Sequence, residues 1–140
     1  MSSRPEFVPG AASVEGLPGQ VDYRLTRNAV LRQFHRGRLS THDVCDAHPE
    51  LLRVARTLGR PTDETCPICE ARPLVQVSYA FGRQLSPGGS VFADAAELAK
   101  LSRRAGELAC YVVEVCPDCS WNHLVRTFAV GPRRRAAAGR

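Results

Sequence analysis

Two short cysteine motifs of the same form constrain this chain more than any other feature. The motif CPxC occurs at residues 66–69 and again at 116–119, with 46 residues between the two copies. Two thiolates separated by two residues on a tight turn can face one centre, and two such turns supply the four tetrahedral ligands of a Zn²⁺ ion at about 2.3 Å each. We therefore predict one structural zinc ion with the ligands Cys66, Cys69, Cys116 and Cys119.

Three other uses of the paired cysteines remain open at this point. Reduced core thiols would not require two identical motifs, each placed next to a strand pattern. A thioredoxin-like redox centre would be expected near a βαβ pattern at the start of a helix, whereas strand patterns follow both motifs. Iron–sulfur ligation also uses four thiolates, and the sequence does not separate iron from zinc.

The chain has no pattern of a membrane or exported protein. No run approaches the roughly 18 apolar residues that a membrane helix needs, and the opening MSSRPEFVPG has no apolar signal core. We therefore expect a cytoplasmic protein. Since cytosolic thiol pools keep cysteines reduced, the six cysteines are expected to bind metal or stay reduced.

The N-terminal part is expected to be helical after a flexible leader over residues 1–20 that is rich in proline, glycine and alanine. Residues 21–60 have the apolar spacing of three short helices. The first spans roughly 21–36, the second begins near 42 after a capping hydroxyl, and the third opens with Pro49 in its first turn. The three form a helical element, possibly a helix-turn-helix.

The pattern changes from residue 61 onwards. Strand signals occur at 73–82, 109–115 and 121–130, and a helical period returns at 92–105. The fold class is therefore α+β, with an N-terminal three-helix element followed by a zinc-ribbon-like antiparallel β unit over 61–131 that contains an inserted helix. Residues 132–140 form a basic tail.

The C-terminal part resembles a zinc ribbon. The resemblance is carried by CPIC with the strand after it, and by a strand, a cysteine turn and a second strand in YVVEVCPDCSWNHLVRTF. Over about residues 21–131 the chain is also similar to a small actinobacterial, zinc-ribbon-containing protein family of unknown function. That resemblance implies the fold and the zinc, and it brings no activity with it. The long insertion between the two motifs leaves the strand order open.

Two further cysteines and a histidine are secondary candidates. Cys45, with His42 and His48, is either part of a second metal site or a small buried thiol. We expect Cys110 to lie in the core. His123 is expected to be a hydrogen-bonded structural histidine on the same strand face as Trp121, with a contact to the metal site as the alternative.

The formal charge of +5 and the pI of about 9.1 favour an anionic or mixed-charge partner, but they fall short of a strongly basic nucleic-acid coat protein. Eight arginines stand against four acidic residues in 21–60, and 120–140 holds five arginines and no acidic residue. These arginines either bind phosphates or an acidic protein surface, or they form a solvated polar face. The candidates are Arg24, Arg32, Arg36, Arg53, Arg56, Arg133, Arg134 and Arg135.

The sequence contains no GxSxG, P-loop, GxGxxG or HExxH motif, and four cysteine ligands would close the zinc shell. We therefore expect a protein that is not an enzyme. The leading hypothesis is an accessory protein of the transcription or translation machinery, with RNA polymerase, the ribosome or nucleic acid as partner. The alternatives are a protein–protein adaptor without nucleic-acid contact and a thiol or metal sensor in which Cys116 and Cys119 are oxidised.

Overall fold

A computed structural model describes residues 20–131 as a mixed α+β structure with four helices and six strands. The helices are short, and the longest strands lie in the second half of the chain. The elements in chain order are β1 (Gln20–Asp22), α1 (Arg24–His35), α2 (Thr41–Val44), α3 (Pro49–Leu58), β2 (Arg60–Thr65), β3 (Pro73–Phe81), β4 (Ser90–Val91), α4 (Ala95–Ala105), β5 (Leu108–Val115) and β6 (Asn122–Val130).

All six strands belong to one antiparallel sheet with the order β1-β6-β5-β3-β2, and β4 pairs with β3. The central pair β3 and β5 runs in continuous register from Val75 opposite Val115 to Phe81 opposite Ala109. The pair β5 and β6 has one irregularity, between Val112 and Val113. Because Val75 near the start of β3 lies opposite Val115 at the end of β5, the turn before β3 and the turn after β5 are neighbours in space.

The helices cover both faces of this sheet. Helix α3 buries Leu51, Val54 and Ala55 against one face, which presents Val77 and Val113. The alternation of side chains along a strand places the intervening residues on the other face. There α4 packs over Ala80 and Cys110, and α1 contributes Val30 to a cluster around Leu74 at the opposite end of the sheet.

Several local sequence signals act as expected. Ser40 caps α2 by accepting a hydrogen bond from the amide of Asp43, whose carboxylate in turn accepts from the Ser40 amide, a complete capping box. Pro49 lies in the first turn of α3, and Gly59 ends that helix. The strand patterns at 73–82, 109–115 and 121–130 correspond to β3, β5 and β6, and the helical period at 92–105 corresponds to α4.

The finer architecture expected from the sequence is not confirmed. The N-terminal part contains three helices, but α3 packs on the sheet, and β1, which precedes α1, pairs with β6. The two cysteine hairpins are likewise parts of a six-stranded sheet. The sequence RPTDET of β2 does not predict a strand, because it lacks apolar alternation. It lies at the edge of the sheet, where its side chains are mostly exposed.

The expected leader over 1–20 lies outside the described residues except for Gln20, which begins β1. The expected basic tail over 132–140, with its three consecutive arginines, lies wholly outside them. Within residues 20–131, no helix is long and apolar enough to cross a bilayer. The division of the chain at residue 60 stays a prediction.

Candidate metal centre

The two CPxC motifs form the turns of two adjacent hairpins. The first turn, residues 66–69, joins β2 to β3, and the second, residues 116–119, joins β5 to β6. We call them the first and the second knuckle. Since β3 and β5 are paired neighbours, the sheet itself brings the knuckles together at one end.

The backbone of the two knuckles is built in the same way. The residue after the second cysteine has a positive φ in both, 58° at Glu70 and 75° at Ser120. The amide of Glu70 donates to the carbonyl of Cys66 at 3.0 Å, and the amide of Ser120 donates to that of Cys116 at 2.9 Å. Left-handed backbone is uncommon for residues other than glycine, so its occurrence at both equivalent positions marks a shared turn geometry.

In each knuckle the first cysteine also accepts an amide hydrogen bond at its sulfur. The amide of Ile68 lies 3.4 Å from Sγ of Cys66, and the amide of Cys119 lies 3.5 Å from Sγ of Cys116. Such donors stabilise negative charge on sulfur. The turns are therefore suited to hold thiolates, the form in which cysteine binds a metal.

The four sulfurs of the two knuckles converge. The Sγ atoms of Cys66, Cys69, Cys116 and Cys119 all lie within 4.8 Å of one another. Two distances between the knuckles, from Cys66 to Cys119 and from Cys69 to Cys116, are both 3.7 Å. Four sulfurs at about 2.3 Å from a tetrahedral ion lie about 3.8 Å apart. The donor set and its spacing therefore fit a single tetrahedral metal ion.

The protonation of these thiols couples metal binding to pH. Burial raises the pKa of Cys66, and burial raises the pKa of Cys119 to about 12. At Cys69 burial acts in the same direction, but hydrogen bonds from the Ala71 amide and the neighbouring sulfurs leave its pKa lowered overall. Because a metal binds the thiolates, its binding releases protons, and its affinity is expected to rise with pH.

Apolar residues from three helix and strand segments enclose the cluster. Val30 of α1, Val44 of α2, Leu74 of β3 and Trp121 are all buried against Cys66 and Cys116. Two contacts also fasten the second knuckle from outside. Arg72 pairs with Asp118 at 2.9 Å, and Arg56 donates to the carbonyl of Pro117 at 3.1 Å.

A buried carboxylate, which no sequence motif predicted, lies beside the second knuckle. Glu114 accepts a hydrogen bond from Nε1 of Trp121 at 2.8 Å and from Nε of Arg27 at 2.7 Å. Glu114 is only 5% exposed. The signal was present in the sequence, since Glu114 is the one charged residue in the apolar strand ACYVVEV, and acids in such strands usually have a specific partner.

The secondary candidates separate clearly. Nδ1 of His48 accepts from the Glu50 amide at 3.1 Å as the N-cap of α3. Within residues 20–131, the group of side chains that could hold a metal ion consists of the four knuckle cysteines, so the second site expected from Cys45, His42 and His48 is not found there. Sγ of Cys45 instead lies 3.6 Å from Sγ of Cys119. His123 is buried and stacks on Trp121, in agreement with the structural role expected of it. Cys110 is fully buried in the core, also as expected.

The candidate arginines within the described residues do not share one surface. Arg24, Arg32 and Arg36 are exposed on or next to α1, whereas Arg53 and Arg56 belong to α3, on the opposite face of the sheet. Arg53 pairs with Glu50, and Arg56 contacts the second knuckle. The remaining three candidates, Arg133, Arg134 and Arg135, lie outside the described residues.

Fold and cluster together define a class: an α+β protein with a six-stranded antiparallel sheet and, at one end of it, a four-cysteine cluster that could hold a metal ion. The chain belongs to the DUF5318 family, a family of unknown function whose model matches residues 17–140. The expected resemblance to such a family is thereby confirmed.

The relatives are mycobacterial, which agrees with the expected actinobacterial origin of the family. Uncharacterised proteins of Mycobacterium tuberculosis and Mycobacterium bovis are each 43% identical to this chain over 116 residues. The aligned part covers 83% of this chain and 85% of each relative. No solved structure matches the chain.

Proposed function

We propose that this protein binds one structural Zn²⁺ ion through Cys66, Cys69, Cys116 and Cys119. The observation that carries the proposal is the equivalence of the two knuckles, which place four sulfurs within 4.8 Å of one another. An ion held by four thiolates has no open coordination position, and this favours a structural role over catalysis. The protein is then a zinc-ribbon-like binding protein and not an enzyme.

The biological role we propose is that of a cytoplasmic accessory protein of the transcription or translation machinery. Its partner is RNA polymerase, the ribosome or nucleic acid itself. Exposed arginines on and next to α1, with Arg32 in its last turn and Arg36 directly after it, are available to contact phosphates. Zinc ribbons are common in proteins of these machineries, and the zinc-ribbon-like hairpins are the feature that supports this assignment.

A protein–protein adaptor with a purely structural zinc is the second candidate, and a specific observation favours it. Part of the arginine charge is used within the protein, since Arg27 binds Glu114, Arg53 binds Glu50 and Arg56 binds a knuckle carbonyl. The arginines that remain exposed on α1 are too few for extensive phosphate contact. On this alternative they meet an acidic protein surface.

Elemental analysis of the purified protein tests the metal assignment. We expect one zinc per chain and no visible absorption. An iron centre with four thiolate ligands is coloured, and finding iron would change the metal in our proposal from zinc to iron. Cys66→Ser and Cys116→Ser should each lose the metal. A matched Cys110→Ser variant, in which the changed thiol lies in a different cluster of the core, should keep it. Protein that contains neither metal would contradict the proposal.

The nucleic-acid role is tested by the salt dependence of binding to arbitrary duplex DNA and RNA. Affinity for nucleic acid falls as salt rises. If Arg32 and Arg36 contact phosphates, the double variant Arg32→Glu/Arg36→Glu should make the slope of log affinity against log salt less steep by about 2. The matched control reverses two exposed arginines of α4, Arg103 and Arg104, and should leave the slope unchanged. The adaptor is supported if the protein binds no nucleic acid and if the partners that co-purify with it from cell extract are retained after nuclease treatment.

A further inference from the structure

The cluster at the knuckles contains a fifth sulfur that the metal does not need. Cys45 is the residue that ends α2, and its Sγ lies 3.6 Å from Sγ of Cys119. Cys45 is not among the four cysteines whose sulfurs lie mutually within 4.8 Å. It therefore contacts one ligand of the candidate metal site without completing the site.

The loop that follows Cys45 is hydrogen-bonded to the second knuckle and to the first residue of β6. The amide of Ala47 donates to the carbonyl of Ser120 at 3.0 Å, and the side-chain amide of Asn122 donates to the carboxylate of Asp46 at 3.1 Å. On the other side of Cys45, Val44 is fully buried in the same cluster as Cys116. Anchors on both sides thus hold the Cys45 thiol against Cys119.

Exposure separates Cys119 from the two deeply buried ligands. Cys66 and Cys116 are 1% and 0% exposed, whereas Cys119, Cys69 and Cys45 are all half-buried. A small oxidant therefore reaches Cys119 and Cys69 more easily than the buried pair. Of these two accessible ligands, Cys119 is the one with the uncommitted thiol of Cys45 in contact.

We propose that Cys45 and Cys119 form an oxidation site at which hydrogen peroxide converts the pair to a disulfide and thereby removes one ligand from the metal. This inference rests on the proposed metal centre, whose regulation it describes. A metal-bound cysteine is already a thiolate, the form that reacts with peroxide. Cys45 then resolves the oxidised ligand.

The chemistry balances with peroxide as the sole oxidant. The Cys119 thiolate attacks one peroxide oxygen, so an S–O bond forms, the O–O bond breaks, and a sulfenic acid and hydroxide result. The sulfur of Cys45 next attacks Sγ of Cys119, so the S–S bond forms, the S–O bond breaks, and the departing hydroxide takes up the thiol proton as water. Two sulfurs lose one electron each, and the peroxide is reduced to two waters once the first hydroxide is protonated.

The required movement is small. The two sulfurs must approach from 3.6 Å to a bond length of about 2.05 Å, a change within the range of side-chain rotation. The other sulfur this close to Cys119 belongs to Cys66, at 3.7 Å, which is itself a ligand. Loss of Cys119 leaves three thiolates around the metal, so metal release is expected to accompany the disulfide.

The test treats the reduced, metal-loaded full-length protein with hydrogen peroxide and follows released metal with a chromogenic chelator. Free thiols are then alkylated, and the protein is cleaved before aspartate without reduction. Cleavage before Asp43, Asp46 and Asp118 places Cys45 and Cys119 in separate peptides, each without another cysteine. We expect a cross-link between these two peptides that appears with metal release and is reversed by dithiothreitol.

Two variants make the outcome decisive. Cys45→Ser should keep one metal per chain but lose both the cross-link and the recovery of metal binding after dithiothreitol, because the Cys119 sulfenic acid then oxidises further. Cys110→Ser should form the cross-link and release the metal as wild type does, because Cys110 lies in a different cluster of the core. If Cys45→Ser loses the metal, Cys45 is a ligand and the proposal is wrong. It is also overturned if metal is released while Cys45 remains alkylatable.

Failure of this proposal is distinguishable from failure of the metal assignment. A protein that contains metal but forms no cross-link between Cys45 and Cys119 retains the metal centre and overturns the oxidation site. A protein that purifies without metal overturns the metal centre, and the same peptide mapping then reports whether the two cysteines still pair.

Discussion

The two ends of the sheet are held together by different means. At one end, which we call the cysteine end, Val30, Val44, Leu74 and Trp121 surround the thiols of the knuckles. At the other, the distal end, Ala80, Leu108 and Cys110 pack with Phe92 and with α4. Both ends are buried, but only the cysteine end has four potential metal ligands at its centre.

This difference shows where stability has to come from. Apolar burial alone accounts for the distal end, where Ala80, Leu108 and Cys110 are fully buried in the cluster that includes Ala105 of α4. At the cysteine end, the buried groups include thiols that gain little from contact with one another. A metal ion bound there supplies folding free energy directly, because the site does not exist in the unfolded chain. The cysteine end should therefore depend on the metal, and the distal end should not.

Removing the metal is the strongest way to break this comparison. Structural zinc contributes about 10 kcal/mol or more of apparent binding free energy at neutral pH. We expect a chelator, or Cys116→Ser, to abolish hydrogen-exchange protection in the knuckles, α1 and α2, while α4 and the distal strands lose much less. Hydrogen exchange read by mass spectrometry measures this. Retention of both metal and cooperative melting in Cys116→Ser would refute the ligand assignment.

Glu114 tests a second support of the cysteine end. The change Glu114→Ala leaves the buried Nε1 of Trp121 and the guanidinium of Arg27 without their shared acceptor. Removing one partner of a buried ion pair costs about 3–5 kcal/mol. We expect urea unfolding to show a loss of this size.

A matched control exists on the same arginine. Glu64 contacts Nη2 of Arg27 at 3.4 Å, but its side chain is 63% exposed. An exposed pair contributes at most about 1 kcal/mol, so Glu64→Ala should be nearly neutral. If Glu114→Ala and Glu64→Ala lower the free energy of unfolding equally, then the burial of Glu114 does not determine how much its ion pair contributes to stability.

The distal end is tested by a cavity. Leu108 is fully buried between the sheet and α4, and Leu108→Ala should cost about 2–5 kcal/mol of the free energy of unfolding. Metal content should not change, because the cavity lies at the end of the sheet opposite the knuckles. Leu58→Ala, at a side chain that is 62% exposed, should change stability by about 0.5 kcal/mol or less. Loss of metal in Leu108→Ala would mean that the two ends are one cooperative unit.

Much of the fold could be predicted where the sequence carries a strong local signal. The alternating patterns located β3, β5 and β6, and the capping residues Ser40 and Pro49 located the helix starts. The CPxC motifs predicted a four-cysteine cluster because each motif fixes two thiols on one turn. Zinc as the bound metal stays a prediction from the ligand type.

What the sequence did not reveal depends on long-range contacts. The three residues of β1 become a strand only because β6 offers them an edge, and polar β2 becomes one because it pairs with β3. The approach of Cys45 to Cys119 joins residues 74 positions apart through the anchoring of α2 on the second knuckle. No local pattern encodes such contacts, so the relative placement of helices and knuckles required the structure.

Cys110 provides the smallest test, which uses pH to compare a buried distal thiol with the thiols of the knuckles. Burial raises the pKa of Cys110 to about 12, whereas an unfolded cysteine titrates near pH 8.5. The protonated thiol is thus favoured in the folded protein. Its contribution to stability is fully present below about pH 8.5 and is lost as the pH rises towards 12.

The variant Cys110→Ala removes this titration and leaves the knuckles unchanged. From urea midpoints of both proteins between pH 6 and 10, we expect a constant difference in unfolding free energy up to about pH 8. Above about pH 8.5 wild type should lose stability relative to the variant by up to about 1.4 kcal/mol per pH unit. The tyrosine and knuckle thiols titrate in both proteins and cancel in the comparison. A difference that stays constant to pH 10 would mean that Cys110 is not held as a thiol by burial, and that the distal end admits water.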